Sequence, residues 1–255
     1  QLGLSPMAVR TVLSRMTRKG WLTAERMGTR SWYGLTPKGR KLLESGRERI
    51  YRPTSDASWD GKWSVIVFSV PETRRRLRDA LRVRLSWLGC GLLTSGAWIS
   101  PHDVRAEVLE IAAELKLARN VEIFRGEHLA HSSPERLVAQ CWDLAGLDRR
   151  YAAFIARWSR EFEHCAQCGM TGARAGIHKP CTAPADCFRR RFLLVHEYRA
   201  FPLEDPLLPG PLLPAGWNGK AAARLFETYH DVLAGPAERF VADVCAEGDE
   251  IVAAA

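Results

Sequence analysis

Positive charge is concentrated in the first fifth of this 255-residue chain. Residues 1–52 contain 12 lysines and arginines against three acidic residues, whereas the other 203 residues contain 25 basic and 26 acidic side chains. A basic segment joined to a nearly neutral body is typical of a protein that has a polyanion-binding module. The alternative explanation of such an excess is a solvated basic surface that binds nothing.

Residues 5–20 carry the signals of an amphipathic helix. Ser5-Pro6 is a typical start, because serine caps exposed amide groups and proline suits the first helical position. Gly20 is a typical stop. Apolar residues recur at helical spacing on one side, at Val9, Val12, Leu13 and Met16. The segment therefore predicts a helix with one apolar stripe and one polar, basic side.

A hairpin and a second helix follow. Residues 21–26 and 31–35 are predicted to be strands joined by a turn that contains Gly28. Thr36-Pro37 opens a helix that extends to about Ile50. Helix, basic hairpin and helix in this order form the second half of a winged helix-turn-helix, whose recognition helix enters the major groove of DNA.

The polar side of the first helix and the tip of the hairpin supply the predicted contacts to double-stranded DNA. Arginine can pair with guanine edges, whereas serine and threonine can contact phosphates or bases. The predicted residues on the helix and at its end are Arg10, Thr11, Ser14, Arg15, Arg18 and Lys19. Those on the hairpin are Arg26, Thr29 and Arg30. Basic residues on both elements at once favour DNA binding over a solvated surface.

The rest of the chain predicts two further modules, so that the fold class is α+β multidomain with a partial winged helix over residues 1–52. Residues 53–62 are polar and irregular and are interpreted as a linker. In residues 63–132 the order strand, helix, strand, strand, helix, strand predicts a ferredoxin-like βαββαβ domain. Residues 133–255 carry apolar side chains at helical spacing and predict an α-helical C-terminal domain.

Four stretches of the chain resemble the PaaX family, whose members are repressors of phenylacetic acid catabolism. They are residues 3–43, 49–63, 88–101 (with LTSGAWISP) and 193–217 (with HEYRAFPLEDPLLP). The resemblance covers nearly the whole chain, with an interruption around residues 163–186. It implies a homodimer that represses catabolic genes from a partly palindromic operator and is released by an aryl- or acyl-CoA thioester. It also implies about two helices before Gln1.

Two groups of residues are candidates for an effector site. Arg74 and Arg78 belong to an arginine-rich helix, whose basic face could receive the phosphates of an anionic ligand or could simply be solvated. His196, Tyr198 and Arg199 follow one another closely and could line a pocket for an acidic or phosphate-bearing effector. For a lone histidine near an apolar helix, the alternative is a core residue with its hydrogen bonds satisfied.

An enzyme is the competing function class. PaaX-like proteins are thought to carry a middle domain similar to the small nuclease of CRISPR adaptation, which raises the hypothesis of a metal-dependent nuclease. Such an enzyme needs a carboxylate at the end of its first strand to hold Mg²⁺. Here the strand ends at Phe68-Ser69-Val70, and Glu72 is better interpreted as an acid in the first turn of a helix. No catalytic triad or dyad with a recognisable local motif is present, so we expect no enzyme. A third hypothesis is a ligand-sensing module that does not bind DNA.

Four of the seven cysteines lie close together, at Cys165, Cys168, Cys181 and Cys187. Four thiolates can hold Zn²⁺ tetrahedrally and would stabilise a glycine- and proline-containing loop that lacks a core. A structural zinc ion is therefore the predicted cofactor, and no organic cofactor is expected. The alternatives are a redox or thiol-reactive switch and, for Cys187, a place in a helix core.

The apolar runs of the sequence exclude a membrane protein. The chain is 46% hydrophobic and 26% charged, as in globular proteins, and no run approaches the roughly 20 apolar residues that span a bilayer. The first residues do not form a signal peptide. We therefore expect a cytoplasmic protein.

Overall fold

The structure is a computed structural model that describes residues 3–28, 30–51, 58–129, 133–165 and 184–253. The chain forms two compact units, each built from segments that are distant in sequence. The first unit consists of Gln1–Pro53, Glu161–Tyr198 and Glu227–Ala255. The second consists of Thr54–Arg160 and Arg199–Phe226.

Helices and strands alternate in the first half of the described chain, and helices predominate in the second half. The strands are β1 (Leu22–Met27), β2 (Arg30–Leu35), β3 (Lys62–Phe68), β4 (Gly91–Thr94), β5 (Ala97–Ser100) and β6 (Val121–Glu127). The helices are α1 (Pro6–Arg18), α2 (Pro37–Ile50), α3 (Arg75–Trp87), α4 (Arg105–Glu114), α5 (Pro134–Cys141), α6 (Leu144–Cys165), α7 (Pro184–Tyr198), α8 (Phe201–Glu204) and α9 (Gly219–Ala253). Among these helices none has both the length and the hydropathy that crossing a bilayer requires.

The first unit begins with α1, the antiparallel hairpin β1–β2 and α2. The hairpin pairs Leu22 with Leu35 at its base and Met27 with Arg30 at its tip. Gly28 lies in the tip with a φ of +62°, a left-handed conformation that glycine adopts without strain. The helices and strands predicted for this segment are therefore present in the predicted order.

Helical segments complete the first unit. Aromatic rings pack between them: Phe162 meets Tyr229 edge-on with 5.3 Å between ring centroids, and Phe188 lies 5.3 Å from Phe240. Leu194 of α7 and Leu233 of α9 are fully buried. This part of the unit therefore has an apolar core of its own.

The second unit is organised around a four-stranded sheet with the order β4-β5-β3-β6. All neighbouring strands in this sheet are antiparallel. Along the chain the elements follow as β3, α3, β4, β5, α4 and β6. The first and third strands of this segment are thus neighbours in the centre, and the second and fourth strands form the edges.

The sheet is covered by apolar side chains on both faces. Ile66 and Phe68 of β3 belong to the core formed with Leu81 of α3 and Val108 of α4. Trp63 alternates to the opposite face of β3, as the two-residue period of a strand requires. A second core forms there, from Trp63, Ile99, Val138, Leu144, Leu208 and Leu212. Each face therefore excludes water from part of the sheet.

Aromatic stacking joins α6 to the segment that follows residue 198 in the second unit. The Tyr151 ring stacks on Phe201 with 4.1 Å between centroids, and Phe154 meets Phe201 edge-on at 5.5 Å. Tyr151 also contacts the Trp217 ring edge-on at 5.5 Å. These contacts position the loop after α8 against α6.

Candidate nucleic-acid interface

Helix α1 is delimited by caps at both ends. The Ser5 hydroxyl oxygen accepts a hydrogen bond from the Ala8 amide at 3.2 Å, and Pro6 is the first helical residue. At the other end the Gly20 amide donates to the Thr17 carbonyl, and the Trp21 amide donates to the Met16 carbonyl. These two bonds and the φ of +71° at Gly20 form a Schellman cap. A serine cap of this kind contributes about 1 kcal/mol, so the sequence itself sets both ends of the helix.

The predicted contact residues of α1 lie on one side of the helix. At 100° per residue, Arg10, Ser14, Arg18, Thr11 and Arg15 fall within an arc of about 140°. Each of these side chains is exposed. No carboxylate in the part of the chain that the structure describes forms an ion pair with Arg10, Arg15 or Arg18. The three guanidinium groups are therefore available to phosphates or base edges.

Two other predicted contacts of this helix have partners within the protein. The Thr11 hydroxyl donates to the Met7 carbonyl at 3.0 Å, which leaves its oxygen lone pairs available as acceptors. The Lys19 ammonium lies 4.6 Å from the centroid of the Trp21 ring. A cation held over an aromatic ring remains charged and exposed.

The apolar stripe of α1 is less covered than the sequence pattern suggests. Leu13 and Met16 are half-buried, whereas Val9 is 39% and Val12 is 42% exposed. Helix α1 has no buried side chain. Helical periodicity correctly predicts which side chains share a face, but it does not show how much of that face is covered.

The hairpin presents one described contact candidate near its tip. Arg26 is exposed, and its Nε donates to the Gly28 carbonyl at 3.3 Å. This bond holds the stem of the side chain against the turn, and no described residue pairs with the terminal nitrogens. Thr29 and the side chain of Arg30 lie outside the described residues, so their predicted role in DNA binding stays a prediction.

The end of α1, the start of β1 and the start of α2 are tied together by backbone contacts. The Thr36 hydroxyl donates to the Gly20 carbonyl at 2.7 Å and accepts from the Gly39 amide at 3.0 Å. The Lys38 ammonium donates to the Lys19 carbonyl at 3.0 Å. A Cβ on Gly39 would lie 2.2 Å from the Trp21 carbonyl oxygen, so only glycine fits there. The orientation of α1 relative to the hairpin is therefore set by caps and close backbone approach.

The far end of α2 is bonded to the helical part of the same unit. The Arg191 Nε lies 3.1 Å from the His230 Nε2, and the Tyr51 hydroxyl lies 3.0 Å from the same atom. Because an arginine Nε can only donate, His230 Nε2 accepts and the imidazole is neutral. Burial and the positive charge of Arg191 lower the pKa of His230, which agrees with that form. Tyr51, the residue that caps α2, is thus held by a neutral histidine.

The predicted effector residues are divided between the two units. The Arg74 Nη2 donates to the Lys116 carbonyl at 2.8 Å, and the Arg78 Nη1 pairs with a Glu72 oxygen at 2.8 Å. Both arginines belong to the second unit, as does the exposed Arg199.

His196 and Tyr198 belong to the first unit. The His196 ring stacks on Phe192 with 6.2 Å between centroids. His196 is exposed, so its interpretation as a core histidine does not hold, whereas Tyr198 is buried. Effector binding by either of the two predicted groups, Arg74 with Arg78 or His196 with Tyr198 and Arg199, stays a prediction.

Glu72, the acid nearest the end of β3, is engaged in ion pairs. In addition to Arg78, its carboxylate lies 3.8 Å from Arg75. It lies in a single helical turn, Glu72–Arg74, that precedes α3. Within the described ranges there is no group of three histidine, cysteine or acidic side chains placed to share a metal ion. Strand β3 itself contains no carboxylate, so nothing in its residues favours a metal-dependent nuclease.

Two of the four predicted zinc ligands lie in described residues, and both are buried. Cys165 ends α6 and Cys187 lies in α7. The Cys165 sulfur accepts from the Arg190 Nη1 at 2.6 Å and lies 3.1 Å from the Tyr229 hydroxyl. Cys168 and Cys181 lie outside the described residues, so zinc binding by the four cysteines stays a prediction.

A cluster of polar and aromatic side chains around the start of α6 was not predicted from the sequence. Arg150 forms an ion pair with Glu204, and the Tyr151 hydroxyl donates to the Asp205 carboxylate at 2.7 Å. Burial raises the pKa of Asp205, and its other oxygen accepts from the Leu207 amide at 2.7 Å. The only sequence signal was the stretch EDPLLP, which contains Glu204 and Asp205.

Comparisons with protein families match successive parts of the chain. Residues 1–39 match a model described as PaaX-like protein, and residues 56–138 match the PaaX protein central Cas2-like domain. Residues 142–243 match the PaaX-like protein C-terminal domain. The three models together extend over most of the sequence.

Individual relatives agree with these matches. The chain is 33% identical over 245 residues to the transcriptional repressor PaaX of Escherichia coli (strain K12), an alignment that covers 95% of this chain and 73% of that protein. Among solved structures, the uncharacterized protein Rv0674 from Mycobacterium tuberculosis has a TM-score of 0.55 at 24% identity. That match covers 92% of this chain and 84% of the other, and it shows a shared fold.

Proposed function

Because the chain belongs to the PaaX family, we infer that it acts as a DNA-binding transcriptional repressor. The named Escherichia coli relative is a transcriptional repressor. One observation identifies the surface that would bind DNA. Arg10, Arg15 and Arg18 lie exposed on one side of α1, in the segment that holds the whole excess of basic over acidic residues. A basic helix face of this kind fits the phosphate backbone and the guanine edges of DNA.

We propose that α1 is the recognition helix and that the β1–β2 hairpin is the wing of a winged helix. Helices of this type present residues near their N-terminal end to base edges in the major groove. Arg10, Thr11, Ser14 and Arg15 would then reach bases, while Arg18 and Lys19 would contact phosphates. Arg26 with Thr29 and Arg30 would contact the backbone or the minor groove. The caps and the close approach at Gly39 support a fixed orientation of α1 relative to the hairpin.

The finer features of the fold and of the assembly belong to the same proposal. The sheet order β4-β5-β3-β6, with antiparallel neighbours throughout, supports a ferredoxin-like middle domain. A homodimer on a partly palindromic operator would place two copies of α1 one helical turn of DNA apart. An aryl- or acyl-CoA effector would relieve repression by favouring a conformation with mismatched spacing. Action on DNA would place the protein in the cytoplasm.

The proposed structural zinc is supported by the residue types alone. Cys165, Cys168, Cys181 and Cys187 can supply the four thiolates of a tetrahedral site. Metal analysis of protein purified without chelators tests the idea. About one zinc ion per chain is expected, and a stoichiometry near zero would exclude it.

The DNA-reading proposal is tested by affinity for a selected duplex. The protein is first used to select a duplex from a random pool. The Kd of the wild type and of each variant for that duplex is then measured. We expect Arg10→Ala and Arg15→Ala each to weaken binding by roughly 5- to 150-fold, the loss of one good base contact. Arg136→Ala, which removes an exposed arginine of α5, is the matched control and should bind normally.

Two results would contradict the proposal. The first is failure of the wild-type protein to enrich any duplex. The second is equal affinity of Arg10→Ala, Arg15→Ala and Arg136→Ala. Thermal unfolding of each variant shows whether a loss of binding comes from a loss of folding, because exposed substitutions should change stability by less than about 0.5 kcal/mol.

A further inference from the structure

A cleft of about 530 Å³ opens in the second unit, between the start of α6 and the loop after α8. Its volume lies within the range of small-molecule sites, roughly 300–1,000 Å³. We propose that this cleft binds an organic anion that carries an aryl or acyl group, with Arg149 as the residue that receives the anion. None of the five residues predicted to bind an effector lines it.

One wall of the cleft is apolar and held in place. Trp142, Leu144 and Leu147 contribute to it, and both leucines are buried. The Trp142 indole Nε1 donates to the Gly89 carbonyl at 3.2 Å, which fixes the plane of the ring. Ala153 and Pro206 add further apolar surface. Aromatic and aliphatic walls of this kind suit a flat aryl group or an acyl chain.

Among the described residues, the polar side chains of the cleft leave one cation without a partner. Both terminal nitrogens of Arg150 are bonded to the Glu204 carboxylate. The Asp143 Oδ1 accepts from the Gly146 amide at 2.8 Å. No ion pair or hydrogen bond is formed by the side chain of Arg149 with any residue that the structure describes. Arg149 is thus the group of the cleft to which a ligand anion can bind without displacing a protein carboxylate.

The opposite wall is preformed. Glu204 and Pro206 flank Asp205, whose carboxylate accepts from the Tyr151 hydroxyl and from the Leu207 amide, each at 2.7 Å. Leu207 has a φ of +54°, a conformation that this residue adopts only when its surroundings enforce it. The half-buried Asp205, which accepts from the Leu207 amide, supplies that constraint. The wall is therefore in place before a ligand arrives, which lowers the entropy lost on binding.

The charge of Arg149 and the apolar wall together define the ligand class, but two chemical groups could supply the anion. Arginine binds carboxylate and phosphate with the same forked geometry. The anion could thus be the carboxylate of an aryl acid or a phosphate of a nucleotide thioester. Binding in the cleft can be measured without DNA. Its consequence for repression, as an effector site, rests on the proposed function.

The experiment is calorimetric titration of the protein with benzoate, benzoyl-CoA and CoA. Arg149→Ala is compared with Arg160→Ala, an exposed arginine of the same helix that does not line the cleft. Ala153→Trp, which fills the cleft, is compared with Ala152→Trp, which adds the same side chain to an exposed position outside it. We expect Arg149→Ala and Ala153→Trp to weaken binding at least tenfold and both controls to leave it unchanged.

The pattern of ligands identifies the source of the anion. Binding of benzoate and benzoyl-CoA but not CoA would show recognition of the aryl end, whereas binding of CoA and benzoyl-CoA alone would show recognition of phosphate. The proposal is overturned if the wild-type protein binds none of the three, or if either cleft variant binds as its control does.

Affinity of the same preparations for the selected duplex separates this proposal from the proposed function. If the wild-type protein binds a ligand but no duplex, the proposed ligand site in the cleft stands and the proposed repressor function fails. If it binds the duplex but none of the ligands, the repressor function stands and the ligand site in the cleft fails.

Discussion

The N-terminal segment, residues 3–51, and the central sheet segment, residues 62–127, are stabilised by different means. Helix α1 has no buried side chain, whereas Leu81 of α3 and Val108 of α4 have no exposed surface at all. In the central segment, burial of apolar surface supplies the stability, at roughly 25 cal/mol per Å². In the N-terminal segment, helix caps, the hairpin ladder and backbone hydrogen bonds determine the arrangement.

This difference follows from what the two segments are proposed to do. A surface that contacts DNA must keep its basic side chains in water until DNA arrives, so it cannot bury them. A segment that builds a scaffold has no such requirement and can use its side chains to fill a core. Substitutions should therefore act on stability in the central segment and on DNA binding in the N-terminal one.

The largest expected effect on stability is in the central core. Leu81→Ala removes a fully buried side chain from the cluster between α3, α4 and the sheet, and should lower the free energy of unfolding by about 2–5 kcal/mol. Leu109→Ala on α4 is the control, because that side chain is 52% exposed and should lose much less. Chemical denaturation of both variants measures the difference. Equal losses would contradict the assignment of the core to this side of the sheet.

A smaller effect of a different kind is expected in α2. Gly39→Ala would place a Cβ 2.2 Å from the Trp21 carbonyl oxygen, so the start of α2 must shift, at a cost of about 1–3 kcal/mol. Gly46→Ala changes the same residue type in the same helix but meets nothing within 4 Å. It should stabilise the helix by roughly 0.5–1 kcal/mol.

The opposite signs of these two substitutions make the test sharp. Thermal unfolding and duplex affinity would be measured for each variant. Loss of duplex affinity in Gly39→Ala alone would show that the placement of α1 depends on this contact. A neutral Gly39→Ala would mean that the backbones are not as close as the structure has them.

Local signals in the sequence predicted the N-terminal elements well. Ser5-Pro6, Gly20 and Thr36-Pro37 delimit α1 and α2, because a cap acts through atoms only a few residues away. Gly28 likewise marks the hairpin tip through its own φ. The strands and helices of residues 63–124 were predicted by apolar periodicity, with ends that differ by a few residues.

Contacts between distant residues were not accessible in this way. Tyr151 and Asp205 are 54 positions apart, and nothing in either neighbourhood identifies the other as its partner. The same is true of Tyr51 and His230, separated by 179 positions. The cleft beside Arg149 depends on how α6 meets the loop after α8. A pattern of residue types predicts the faces and caps of single helices and strands. It does not predict which two faces pack against each other.

The smallest effects on stability are expected from substitutions that test whether α1 reads DNA sequence. The measurement is the Kd for a scrambled duplex divided by the Kd for the selected duplex, for wild type, Arg15→Ala and Arg26→Ala. We predict that Arg15→Ala lowers this ratio by roughly 5- to 150-fold, because it removes a base contact. Arg26→Ala should weaken both duplexes alike and keep the ratio, because it removes a backbone contact. Both variants should unfold within about 0.5 kcal/mol of wild type. An unchanged ratio in Arg15→Ala, with wild-type stability, would contradict the assignment of α1 as the recognition helix.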